Sequence, residues 1–448
     1  MPNLTQLRLA AREIFDETLI AVDAAAAVHR NVRRDGLQLL VRDTQLNLVN
    51  RKVYAIAIGK AARPMAYALE QVLGGSFTEG LVSGPSVPSS SQKLNSRWRK
   101  FEGGHPLPNQ TSLAAAAEGF GLLKRANEER ALVIFLISGG GSAMLEWPIN
   151  NDITLEDLRT ANKVLVNCGA SITEINSVRC CFSAVKGGRL AMRAPDCDQV
   201  TLIVSDVPKG EERNVASGPT LAPPDNATRT VDVINHYDLR AHLAESILRA
   251  VETDSGSPRN DLTSLRRHFV LLDNESALEA AAEAARRRGF TTEMAPDISD
   301  QPIEEGCKQL VDRLNKLREK AVREQSSGTN SVCLISGGEF ACPVRGEGLG
   351  GRNMETALRL ATGATLSNSA QLVALCAGTD GIDGNSPAAG AIVDQTTGAR
   401  ARAIGLEPTS FLDRSDAYSF FVALGDAIAT GATGTNVRDL RILLAACE

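Results

Sequence analysis

The run VYAIAIGKAARPMAYALEQVL, residues 53–73, decides the fold. A fully apolar stretch stops at Gly59-Lys60, and a helical pattern follows with Pro64 in its opening turns. This is a β-turn-α unit whose strand is apolar on both faces, as in a parallel sheet covered by helices. It leaves Lys60 at the carboxyl end of a buried strand, where open α/β sheets bind ligands. From position alone Lys60 reads equally well as a solvated surface lysine.

The same grammar recurs along the chain. ALVIFLISGGGSAMLEWP (131–148) is an apolar strand running into Ser138, Gly139, Gly140, Gly141 and Ser142. Backbone N–H groups in such a turn can form an anion nest, with the two hydroxyls as further donors. VTLIVSDVPKG (200–210) ends in Ser205-Asp206, a metal or base candidate that could equally be a helix cap or Asx-turn. ISGGEFACPVRGEGLGGRNMETALRL (335–360) stops at Gly337, Gly338 and Glu339. A second glycine cluster ending in Gly351 then delivers Arg352 and Asn353 to a helix start. A fixed guanidinium beside a helix N-terminus suits phosphate or carboxylate. QLVALCAGTDGIDG (371–384) ends in Thr379, Asp380 and Asp383 among glycines, which resembles a hard-cation or hydroxyl-binding loop. LISGG occurs at both 136–140 and 334–338, so two similar ligand-facing loops are expected.

Between these units the pattern predicts one long helix over 4–30 and another over 154–170, where Thr154 and Asp157 form a capping box. Strand, helix and strand follow over 268–296, then a helix over 302–323, and a helix, Gly/Thr turn and strand over 415–445. Connectors are expected at Pro223-Pro224-Asp225, at 253–261 and at SSGTN (326–330). Strands alternate with helices throughout, so both halves are expected to be α/β with largely parallel sheets. The boundary divides 1–260 from 261–448. His105, between Gly104 and Pro106, reads as structural. Arg179, Lys186 and Arg189 read either as a site lining or as a solvated helix face.

Composition narrows the function classes. Of 448 residues, 43% are hydrophobic and 23% charged, and the net charge is −5. That is a globular profile without a basic face for nucleic acid. Asp23 interrupts the alanine-rich run at 21–28, no stretch reaches membrane-spanning length, and the N-terminus has charges where a signal peptide needs an apolar core. Nine cysteines show no C-x-x-C pattern, so a reducing cytoplasm is the expected setting. The assembly carries no sequence signal beyond a homodimer being a candidate.

Lysine, arginine, glycine nests and acids together suit phosphoryl transfer, in which the protein chiefly positions and neutralises charged oxygens. A Walker A motif is absent, because Gly59-Lys60 is followed by Ala61-Ala62. Two rivals stand beside this reading. Gly346, Gly348 and Gly351 satisfy G-x-G-x-x-G, which would signal a dinucleotide and redox chemistry, although Pro343 sits in the supposed leading strand. A non-catalytic sugar-phosphate or nucleotide sensor would use the same nests.

GKAA (59–62), GGHPLPN (103–109), LISGGGSA (136–143) and VKGGRLA (185–191) resemble the glycerate 2-kinase family. So do SDVP and ASGPT within 205–220, GLGGRNMETAL (348–358), TDGIDG and AAGA within 379–391, and TGTNVRDL (433–440). The resemblance implies an N-terminal Rossmann-like αβα sandwich and a smaller C-terminal α/β domain of the MOFRL type, with the active site in the interdomain cleft. It implies transfer of the ATP γ-phosphoryl to the 2-hydroxyl of D-glycerate with Mg2+. Some relatives carry a hydroxypyruvate reductase label, an NAD(P)H-dependent alternative. Lys60 and Arg352 would be the catalytic cations, with Asp206 as a third catalytic group. Asp206 and Asp380 would serve metal. Ser138 to Ser142, Lys186, Gly337 to Glu339, Gly351, Asn353, Thr379 and Asp383 would hold substrate or nucleotide. The chain departs from the pattern at Lys209-Gly210-Glu211, at TGATGTN (430–436) and at Ser415-Asp416-Ala417-Tyr418.

Overall fold

The computed structural model describes residues 2–86, 93–223, 229–253, 264–324, 331–362 and 371–447. Two of the expected connectors, 253–261 and 326–330, lie almost wholly or wholly outside them, as do Pro224 and Asp225. The chain forms two compact units. One comprises residues 24–271; the other comprises 1–23 together with 272–448.

The first unit begins with α2 (Ala24–Asn31) and an antiparallel meander, β1 (Val32–Asp35), β2 (Gln38–Val41) and β3 (Thr44–Asn47). Its main sheet follows with β4 (Val53–Ile58), α3 (Ala62–Leu73), β5 (Phe77–Gly84), β6 (Trp98–Glu102), α4 (Gln110–Glu128), β7 (Leu132–Ser138) and the short α5 (Gly141–Met144). Then come α6 (Leu155–Asn167), α7 (Ile172–Phe182), β8 (Asp198–Val204), α8 (Thr230–His236), α9 (Glu245–Thr253) and β9 (Arg266–Leu272). The strand order is β6-β5-β4-β7-β8-β9, and the pairs β6/β5, β5/β4, β4/β7 and β7/β8 are parallel. Relative to β4 as the first strand this is the Rossmann order 3-2-1-4-5-6, with its switch point between β4 and β7. Both strands are buried along their whole length, as their apolar sequences require. Thr154 and Asp157 form the capping box that starts α6.

The second unit contains α1 (Leu4–Ala21), α10 (Asn274–Arg287), β10 (Thr291–Met294), α11 (Ile303–Arg323), β11 (Ser331–Gly338) and α12 (Arg352–Thr362). It continues with β12 (Leu372–Gly378), β13 (Gly390–Asp394), α13 (Thr397–Ala403), α14 (Pro408–Asp413), α15 (Ala417–Leu424), β14 (Ala427–Ile428) and β15 (Asp439–Ala446). Here the expected parallel sheet is wrong. The order is β10-β11-β15-β12-β13-β14, and only β10/β11 is parallel. The last strand inserts antiparallel to both β11 and β12, and β13 returns along β12.

Two further expectations need correction. The helix over 4–30 is two helices, broken at Val22-Asp23 and assigned to different units. No glycine or proline marks the break; packing makes it, since Leu7, Ala11, Ile14 and Phe15 are buried against α10 and the C-terminal sheet. Likewise β9 and β10 flank α10 without sharing a sheet. The boundary therefore falls at 271/272, and residues 1–23 belong with the C-terminal unit. Among the described residues no helix is long and apolar enough to cross a membrane.

Phe15→Ala should cost about 3–5 kcal/mol by opening a cavity in the C-terminal core. Chemical denaturation followed by hydrogen exchange should show the loss in 272–447, with 32–271 protected as before.

Candidate functional site

In the first unit, side chains from three strand ends converge at the switch point. Gly59 carries a φ of 111°, and a Cβ there would overlap Ser138. The close approach lets Lys60 N–H donate to Gly139 O at 2.9 Å, while Ser138 Oγ donates to Ile58 O at 3.2 Å and accepts from Ala61 N–H at 3.0 Å. Ser138 is thus a buried staple between β4 and β7, its hydroxyl already engaged. Gly139 lies against the Asp206 carboxylate, which a Cβ would overlap, so the end of β8 reaches the turn after β7. A Cβ on Gly140 (φ 77°) would lie 2.9 Å from the His105 ring and 3.4 Å from Lys60 Cγ. Lys60, His105, the 139–142 turn and Asp206 therefore form one cluster. His105, read as structural from its stiff neighbours, lies beside this turn.

The cations of 179–189 are spent elsewhere. Lys186 is fully buried and paired with Glu146, whose other oxygen accepts from Ser183 Oγ at 2.5 Å. Burial pulls the Lys186 pKa below the usual lysine value, with Glu146 acting against the shift. Arg179 is buried on the Asn162 and Asn176 amides, and Arg189 donates to the Cys180 and Ser183 carbonyls. Lys186, expected among the binding residues, is thus buried and committed to Glu146. It anchors the segment after α5 from behind, a role with no periodic signature.

In the second unit, β11, α12, β12 and β15 bring their ends together. Arg352, at the start of α12, donates through Nε to Asp439 at 2.6 Å and pairs with Glu339 at 2.8 Å. Burial works against its charge, but the Asp439 and Glu339 carboxylates more than offset it and raise its pKa. Asn353 Nδ2 donates to Asp439 at 2.8 Å and to Asp383 at 3.2 Å. Asp383, placed among ligand-binding groups by its motif, is a buried helix cap. It accepts the N–H groups of Asn353 at 3.1 Å and Met354 at 2.8 Å. Burial pushes its carboxyl up to about 7, with the Met354 N–H acting against the shift. Gly351 is required because a Cβ would overlap Asp383.

Thr379 is also internal, donating to Arg438 O at 2.7 Å and accepting from Val437 N–H at 2.9 Å. Gly338 N–H is taken by Asn274 Oδ1 at 2.9 Å, and Glu339 N–H by Asp300 at 3.3 Å. The fully buried Arg441 holds the Gly337 and Gly338 carbonyls and lies 3.5 Å over the Phe340 ring. Gly337 and Gly338 thus serve the scaffold rather than an anion nest. Asp380 and Asp439 flank Gly378, where a Cβ would lie 3.2 Å and 3.5 Å from their Oδ1 atoms. Asp439, Asn274 and Arg441 shape this cluster, and the sequence patterns did not single them out. The first stood in plain view in TGTNVRDL, at the head of an apolar strand.

Gly346 and Gly348 argue against a dinucleotide turn. They come well after β11 has ended at Gly338, and a Cβ on either would overlap the 414–416 backbone. Their glycine character is explained by that packing.

The model described as "Domain of unknown function (DUF4147)" matches residues 10–252, and that of the MOFRL family matches 332–439. A D-glycerate 2-kinase of Thermotoga maritima is 33% identical, covering 96% of this chain and 99% of that protein. The chain belongs to the glycerate kinase family. A crystal structure of glycerate kinase from Thermotoga maritima superposes with a TM-score of 0.80 at 30% identity, over 98% of this chain and 99% of that one. A 36% identical protein of Agrobacterium vitis, over 87% of this chain and 98% of its own, carries the provisional name hydroxypyruvate reductase.

Glu146→Gln should destabilise this glycerate kinase family member by about 3–5 kcal/mol, because it leaves the Lys186 charge buried without its partner. Glu146→Leu combined with Lys186→Met should recover most of that loss in the same denaturation measurement.

Proposed function

We propose that the chain transfers the γ-phosphoryl of ATP to the 2-hydroxyl of D-glycerate, giving 2-phosphoglycerate and ADP. The observation that carries this reading is the match to glycerate kinases along nearly the whole chain, through both units. The geometry supports it independently. Each unit presents a partly exposed cation beside acids at the ends of its buried strands: Lys60 with Asp206 after β4 and β8, and Arg352 with Glu339 after β11 and Asp439 at the start of β15.

Lys60 neutralises charge that develops on the transferring phosphoryl group, and the Gly139 to Ser142 turn offers N–H and hydroxyl donors to its oxygens. Arg352 clamps the glycerate carboxylate. Glycerate has so few heavy atoms that, at about 1.5 kcal/mol per atom, its binding cannot exceed about 10 kcal/mol; a charge-assisted clamp is then a large share. The glycerate 2-hydroxyl oxygen bonds to the γ-phosphorus as the bond to the β,γ-bridging oxygen breaks, and Asp206 takes the hydroxyl proton.

Mg2+ belongs to the same proposal. Among the described residues no group of three or more His, Cys, Asp or Glu side chains could hold a metal ion by itself. Nucleotide-bound Mg2+ asks for one or two carboxylates plus phosphate oxygens, which Asp206 or Asp380 can supply. When bound, it neutralises phosphate charge. A cytoplasmic setting accords with nine free cysteines. A homodimer is the assembly to test by light scattering.

Incubation with D-glycerate and Mg-ATP should yield 2-phosphoglycerate by its ³¹P signal. Hydroxypyruvate with NADH should leave NADH unoxidised; the reverse pair of results would replace the kinase by the reductase. Lys60→Ala should lower kcat about 10²-fold or more with the fold intact, since one lost electrostatic donor costs about 3 kcal/mol. Wild-type turnover in that variant would remove Lys60 from the mechanism.

A further inference from the structure

His105 reaches the cluster of the first unit from residues 103–109, a loop between β6 and α4. Both ends of that loop are braced. Gly103 N–H donates to Gly84 O at the end of β5 (3.2 Å), and Gly104 N–H to Ser112 Oγ in the first turn of α4 (2.9 Å). Asn109, which caps α4, returns its Nδ2 to Glu102 O at 3.3 Å. A Cβ on Gly103 would overlap Met144 at the end of α5, so the loop is pressed onto the segment that follows the 139–142 turn. His105 therefore stands on a fixed support.

That support aims the ring. Its Nε2 lies 3.1 Å, and Lys60 Cγ 3.4 Å, from the point where a Cβ of Gly140 would stand. Ring and lysine stem thus border the same space over one glycine. Only a residue without a side chain leaves that space open, and the φ of 77° asks for glycine as well. A histidine held for packing alone would gain from burial, yet this one is exposed. Lys60, Gly140, Ser142 and Asp206 are each partly accessible beside it. The Cδ2–Nε2 edge faces the turn, so an anion that reaches Lys60 across Gly140 meets a ring nitrogen there.

We propose that His105 is a further catalytic residue, its Nε2–H donating to an oxygen of the transferring phosphoryl group beside Lys60. The inference rests on the kinase reading above and adds a residue that reading does not use. Charge spreads over the equatorial phosphoryl oxygens during transfer, and a single ammonium cannot face them all. An imidazole across Gly140 meets one that Lys60 does not, and it can donate at Nε2 whether neutral or charged. No proton changes hands at His105. The glycerate hydroxyl proton goes to Asp206 as before, and the ring keeps its own. The contact strengthens as charge develops, so its loss falls on kcat.

In the full chain, His105→Ala should lower kcat about 10²-fold, with the KM values for ATP and D-glycerate within about threefold of wild type. Wild-type kcat in the folded variant overturns the proposal. His105→Phe keeps a ring against Gly140 without its nitrogen and should stay as slow. His105→Gln, whose amide can donate from near the Nε2 position, should recover about tenfold over His105→Ala. The reverse order, with Phe active and Gln slow, assigns the ring to packing and overturns the proposal. A readout without turnover is the His105 ring signal in the NMR spectrum, one of five histidines, assigned by its loss in His105→Gln. Mg-ADP with aluminium fluoride, which mimics the transferring group, should shift that signal more than Mg-ADP alone. An unmoved signal in a wild type that makes 2-phosphoglycerate ends the role of His105 and leaves the kinase reading. A shifted signal in a wild type that makes none ends the kinase reading and leaves the anion contact.

Discussion

Arg441 is a guanidinium with no exposure to solvent, set in the middle of a sheet. A charge taken out of water costs several kcal/mol unless polar partners replace the hydration shell. Here the partners are the carbonyls of Gly337 and Gly338, the Ser336 hydroxyl and the face of Phe340. Phe340 in turn fills the space left by Gly306 on α11. Those contacts of the two terminal nitrogens of Arg441, with Nε left without a partner, fix where β11 ends and how its turn leaves the sheet. Strand alternation places Asp439, two residues earlier on β15, on the same face as Arg441, and there it receives Arg352. The candidate cation of the second unit is thus aimed from its central strand, through side chains that a ligand need not touch.

The first unit reaches a similar arrangement by different means. Its strands are parallel and its turns are joined by close backbone approach: Gly59 on Ser138, Gly139 on Asp206, Gly140 on His105. The repeated LISGG is alike at its second glycine, Gly140 and Gly338 having φ values of 77° and 78°, but Gly140 opens a short helix and Gly338 ends a strand. Yet the repeat is served differently. Ser138 staples one strand to its neighbour, whereas Ser336 donates to Ile298 O at 2.6 Å. Short identical sequences share a left-handed second glycine and were then put to separate structural uses.

What could be read in the chain follows from the range of the forces involved. Strand ends, the capping box of α6 and the glycine turns are local, so the Rossmann-like half, the strand-end positions of Lys60 and Asp206 and the helix start at Arg352 were legible in the sequence. Sheet direction in the second half was not, because an apolar run such as LRILLAA carries no label for which neighbours it will join. Asp383 and Thr379 stood correctly at a strand end, but the sequence could not reveal that helix N–H groups and backbone carbonyls had already claimed them. Lys186 was misplaced for a related reason: its partner Glu146 lies on another element, and nothing local distinguishes a buried pair from a solvated one.

Helix α1 packs its Leu7, Ile14 and Phe15 into the cluster that contains Leu440, Ile442 and Leu444 of β15. The 24–271 unit is thereby an insertion, and the surrounding unit is assembled from the two flanks of it. On the ribosome α1 emerges before the inserted unit and β15 after it, and domains generally fold as units while the chain is made. The inserted unit can close as soon as β9 is synthesised, while the apolar stripe of α1 stays without its sheet until β15 has been translated. Chaperone dependence during translation should accordingly centre on that stripe.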